Sequence, residues 1–201
     1  MDKKMFALRG GLAAASRVTS KERIDDSTRA AEFVLLLLCG AAAAWASCLL
    51  RTGLHIPGNA IIRAVVPMAL GFSLAPRRFA GFVMSASALG TAAAMSAAGL
   101  IRLDPGALTS LSLAGPVMDF ALAKAQAGWL LYLRLVIAGV VTNLLALGAR
   151  AAAKLSGMDP GSRPFGEWWS QAIFTYFVFG AIAGLIGAIC CFRLDRKNTK
   201  E

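Results

Sequence analysis

The sequence predicts an all-α protein, an integral membrane bundle of about six transmembrane helices. Hydrophobic residues make up 57% of the 201-residue chain and charged residues 16%, against roughly 25% charged in an ordinary soluble domain. The mean hydropathy is +0.63. The apolar residues also gather into stretches close to the roughly 20 residues that a helix needs to cross a hydrocarbon core about 30 Å thick.

The elements follow in order along the chain. Residues 1–30 carry charges at short intervals, and "ALRGGLAAAS" has too little apolar length for a signal-peptide core. They read as a cytoplasmic tail. "DDSTRAAE" then opens the first helix, with Asp26 or Ser27 placed to accept from the free amides of its first turn. Candidate spans cover residues 31–50, 57–75, 79–101, 107–123, 129–148 and 171–192, and residues 193–201 form a second cytoplasmic tail. The bundle thus occupies 31–192. The fourth span holds Gly106, Thr109, Ser110, Ser112, Gly115, Pro116 and Asp119, which leaves two readings, a clean span and a broken or re-entrant helix. Broken backbone is tolerated at membrane depth only beside protein or a water-filled cavity. Trp129 and Tyr132 at one end of the fifth span, and Trp168 and Trp169 before the sixth, sit where interfacial aromatic belts are expected.

Small residues recur at every fourth position: Ala86, Gly90, Ala94 and Ala98 in the third span, Gly180, Gly184 and Ala188 in the sixth. The first span has two such rows, Gly40, Ala44 and Cys48 on one and Ala42 with Ala46 on the other. These rows let backbones approach closely. Internal packing and a docking face for another membrane subunit are both open to them.

Lys and Arg set the orientation, because cytoplasmic segments keep an excess of them. With six spans, fourteen of the 21 fall on the side of the two termini and five on the other, which predicts both termini inside. The net charge of +10 is then topology and contact with the anionic leaflet, not nucleic-acid binding. Enzymatic signatures are missing. There is no GxxxxGK[ST] and so no P-loop ATPase, and a single histidine rules out HExxH. The four cysteines, Cys39, Cys48, Cys190 and Cys191, make no CxxC and no metal-ligand spacing. No metal and no cofactor is implied.

Three charges remain inside the spans, and such residues are functional or paired by default. Asp119 and Arg134 lie about 7 to 8 Å inside the same boundary on neighbouring spans, at 1.5 Å per residue. A structural ion pair is expected, with a proton or cation site at Asp119 as the alternative. Arg63 has no carboxylate at its depth. It shares one stripe with His55 and Asn59, since residues four apart on a helix are displaced by only about 40°. This stripe predicts an outward-facing site for a small anionic or carboxylate-bearing solute. The alternative is an Arg63 that snorkels outward and a merely interfacial His55.

Six short spans without a nucleotide site, the small-residue first helix, "HIPGNAI" opening the second span, "PRR" after it and "GPVMDF" in the fourth resemble the S components of energy-coupling factor transporters. The resemblance covers residues 31–192. It implies a substrate-binding subunit of a vitamin or micronutrient importer in the bacterial cytoplasmic membrane, with its ligand site near the outer side. It also implies that small residues of the first helix, Ala42 and Ala46 or Gly40 and Ala44, dock onto a transmembrane coupling subunit served by two ATPases. "HIP" is similar to the start of the related cobalt and nickel import subunits. There it stands at the extreme N-terminus, whereas His55 is internal and has no second histidine, so a metal is not carried over. A non-transport scaffold or assembly subunit acting through its small-residue faces is the alternative, and an intramembrane enzyme a third class.

Overall fold

The computed structural model describes residues 26–49, 58–101, 105–123, 129–157 and 165–191, and each predicted span is helical in it. The helices are α1 (Asp26–Leu49), α2 (Ala60–Leu74), α3 (Ala80–Ala97), α4 (Pro105–Leu122), α5 (Trp129–Leu155) and α6 (Phe165–Cys191). No strand occurs among the described residues. The chain is an all-α membrane bundle: α1, α3, α5 and α6 are long and apolar enough to cross a membrane, and α2 is a shorter apolar helix of 15 residues. Around the bundle the order is α1, α3, α4, α5, α6, α2, with α2 reaching inward to touch α4 as well.

Lipid tails are as apolar as leucine, so close packing rather than burial holds such helices together. The glycines mark where this happens. A Cβ on Gly184 would stand 2.2 Å from the Leu135 carbonyl oxygen, and one on Gly139 2.3 Å from that of Gly180, so α5 and α6 touch backbone to backbone. Gly81 of α3 and Gly115 of α4 meet in the same way, at 2.1 and 1.9 Å. Gly40 abuts the Met84 carbonyl, where its Cβ would lie at 2.2 Å, and joins α1 to α3. The buried core between these contacts is filled largely by alanine with a few long side chains, including Leu36, Met68, Met84 and Leu111.

The fourth span is one continuous helix over Pro105–Leu122, so its backbone is not broken at Gly115 or Pro116. Pro116 lacks the N–H that the Ser112 carbonyl would receive, yet the backbone contact with α3 braces the helix there. The Ser85 hydroxyl accepts from the Gly115 N–H at 3.1 Å. α5 and α6 also run further than their apolar stretches, each reaching 27 residues. Alanines after Gly148 continue α5, and Lys154 in its last turn suits the helix dipole. Lys154 lies over the Trp168 ring, 4.7 Å from its centroid, and Phe165 stacks on Trp169 at 5.3 Å. This aromatic cluster marks one end of the bundle, the upper end. The lower end carries Arg77, whose Nε is paired with Glu32 of α1.

Candidate functional site

α2 starts at the upper side with Gly58 in a left-handed conformation, φ +89°, and its Cβ position lies 3.1 Å from the Tyr176 backbone. A side chain there would be strained and crowded. Asn59 precedes the helix without capping it. Its Oδ1 instead accepts from Arg63 Nη2 at 3.3 Å, so two residues of the predicted stripe are bonded to each other. The third, His55, lies outside the described residues.

The rest of the Arg63 guanidinium is the unusual feature. Nε and Nη1 are shielded from solvent and meet no acceptor among the described residues. The register of α2 on α6 gives the depth: Gly58 faces Tyr176, and Gly187 lies against Ala69 and Val65. The two helices run parallel, which puts Arg63, in the first turn of α2, roughly level with Ala181 of α6. Dehydrated donors without acceptors cost stability, and a charge inside a transmembrane bundle adds to that cost.

α1 forms the other side of this place. Cys48 stands within electrostatic range of Arg63. The hydroxyl oxygen of the preceding residue, Ser47, is likewise buried and unbonded among the described residues. Ser47 did not stand out in the sequence, where a serine between alanine and cysteine carries no signal.

Asn143 was also missed, although an amide inside "VVTNLLA" was a legible signal. Its side chain is 1% exposed, and Nδ2 donates to the Tyr176 carbonyl at 2.7 Å and to the Gly58 carbonyl at 3.3 Å. One amide therefore ties α5, α6 and the entry turn of α2 together, just above Asn59 and Arg63.

Asp119 does not bridge to Arg134. Its Oδ2 accepts from the Phe82 N–H at 2.9 Å, so a carboxylate from α4 caps the first turn of α3 in place of a local N-cap residue. Phe79, which occupies the capping position, has φ 66° and no side-chain bond to offer. α4 and α5 are neighbours, but the acid faces α3, its neighbour on the other side.

The two rows of α1 are separated. Gly40 and Ala44 are buried, Gly40 against α3, and so are not available for docking. Ala42 is exposed and Ala46 partly so, beside Trp45 at 56% exposure. In α6 the row Gly180, Gly184, Ala188 is consumed by internal packing. The α3 row is not: Ala86, Gly90, Ala94 and Ala98 are all exposed, and nothing lies within 4 Å of a Cβ on Gly90. No family model, characterised protein or solved structure matches this chain, so its chemistry rests on these residues alone.

Proposed function

We propose that this protein is a membrane-embedded solute-binding subunit of a micronutrient or vitamin importer, that it takes a small anionic solute from the outer side, and that it has neither an ATPase nor a catalytic step of its own. The observation that carries this reading is the Arg63 guanidinium, fixed by Asn59 through one nitrogen and left with two dehydrated, unmatched nitrogens in the interior of an apolar bundle. An arginine so placed costs stability unless an acceptor arrives. A solute carboxylate or phosphate is such an acceptor, and a planar guanidinium is the donor suited to it. On this reading the upper end faces outward and both termini are cytoplasmic, as the distribution of Lys and Arg implies. The membrane is then the bacterial cytoplasmic one. Energy comes from a coupling subunit docked on the exposed Ala42 and the partly exposed Ala46 of α1.

The test is thermal stabilisation of the purified full-length protein by a panel of vitamins and organic anions. A ligand should be found whose affinity falls in Arg63→Lys, which keeps the charge, and further in Arg63→Ala. A ligand indifferent to Arg63→Ala overturns the site.

The scaffold reading has one observation in its favour. The exposed row Ala86, Gly90, Ala94, Ala98 is the pattern by which helices associate in membranes, and here the protein's own helices leave it uncovered. Under that reading no solute depends on Arg63, and alterations of the α3 row alone impair function.

A further inference from the structure

α1 and α2 run antiparallel, and their contact is pinned where Cys39 meets Gly71: a Cβ on Gly71 would lie 3.2 Å from the Cys39 Cβ. Two turns toward the upper end from this point, α1 reaches Ser47 and α2 reaches Arg63. The steps are eight residues on each helix, so both rise by about 12 Å and arrive at one level. The proximity of Cys48 to Arg63 agrees with that register. At this level the Ser47 hydroxyl oxygen and the Arg63 Nε and Nη1 are all cut off from solvent and without a partner among the described residues. Buried polar groups are bonded in the great majority of native structures, and those that are not call for an explanation such as an absent ligand.

Resting on the solute-binding role proposed above, we infer that the anionic group of the solute lodges between α1 and α2, held by Ser47 as well as Arg63, and that it is an oxyanion, a carboxylate or a phosphate. Two helices contribute donors here, separated by the helix–helix contact. An oxyanion presents two or more oxygens, each with lone pairs to spare, and satisfies donors on both sides without drawing them to one point, as a halide would have to. Ser47 donates its O–H, Arg63 donates from Nε and Nη1, and Asn59 keeps Nη2 in place. α1 is thereby a wall of the site on one face while Ala42 and Ala46 lie on its exposed side.

The experiment uses the full-length chain in detergent with three probes, pentanoate, inorganic phosphate and chloride, in the parent and in Ser47→Thr, Ser47→Val and Arg63→Lys. Threonine and valine have the same shape, so comparing them isolates the hydroxyl from any packing effect. Binding is read by thermal stabilisation, and in the parent also by the rate at which N-ethylmaleimide alkylates Cys48 relative to the exposed Cys190, mapped by peptide mass. Pentanoate or phosphate should stabilise the parent and slow alkylation of Cys48 but not of Cys190; whichever acts tells carboxylate from phosphate. Ser47→Val should weaken binding by about tenfold or more, the worth of one hydrogen bond to a charged group, and Ser47→Thr by no more than about threefold. If Ser47→Val binds like Ser47→Thr while Arg63→Lys loses affinity, the solute lies away from α1: this inference falls and the role of Arg63 stands. Chloride acting as well as the oxyanions overturns the ligand class. If no probe changes either readout, both this inference and the solute-binding reading fail. Should Ser47→Val not fold, Cys48 protection in the parent decides.

Discussion

Gly184→Ala and Gly90→Ala add the same methyl group to two small-residue rows of the same spacing, and should have opposite effects. At Gly184 the new carbon would stand 2.2 Å from the Leu135 carbonyl oxygen and 2.6 Å from the Val136 Cα. Both are backbone atoms, so no side chain can swing aside, and α5 and α6 must move apart by about 1 Å to restore ordinary contact. Overpacking of this kind costs about 1 to 3 kcal/mol, and exchanging glycine for alanine inside a helix returns up to about 1 kcal/mol. The two ranges combine to a net loss of up to about 3 kcal/mol, centred near 1.5 kcal/mol. At Gly90 nothing lies within 4 Å, so only the propensity gain operates, and the variant should be neutral or more stable by up to about 1 kcal/mol. Both are measured by reversible unfolding of the full-length chain in mixed micelles, with helical circular dichroism as the signal. The packing argument is refuted if Gly184→Ala unfolds with or after the parent, or if Gly90→Ala loses as much as Gly184→Ala.

Asn143→Leu removes two hydrogen bonds, one to α6 and one to the α2 entry turn, each worth about 0.6 kcal/mol on average and at most about 1.7 in membranes; it should destabilise the fold measurably and loosen the α2 entry turn, seen as weaker Arg63-dependent binding. Unchanged stability together with unchanged binding would remove Asn143 from the site. Asp119→Ala should cost about 1 kcal/mol through the lost cap on α3, whereas Arg134→Gln should melt like the parent; an equal loss in both would revive the ion pair. In intact cells and a cysteine-free background, a Cys at Ser162 should react with an impermeant label and one at Asn198 should be shielded, and the reverse pattern would invert the proposed orientation.

The sequence alone was enough to place six helices, because apolar length is a local property: a stretch long enough to satisfy its own backbone in lipid does so wherever its neighbours stand. It also singled out Asn59 and Arg63 as one stripe, since residues four apart share a face on any helix, and the structure bonds them to each other. Asp119 and Arg134 do belong to adjacent helices, as their places in consecutive spans suggested. What the chain could not disclose is rotation about each helix axis. In a soluble bundle the polar face announces the outside, but here both core and lipid are apolar, so a small-residue row reads the same whether it meets a neighbour or nothing. Only the tertiary structure sends Gly40 and Ala44 inward and Ala42 outward, uses Gly180 and Gly184, leaves Gly90 bare, and turns Asp119 toward the amides of α3. The same freedom hid Ser47, whose weight comes from what faces it across the gap between helices rather than from anything beside it in the chain, and it hid the partners of Asn143, though not the amide itself.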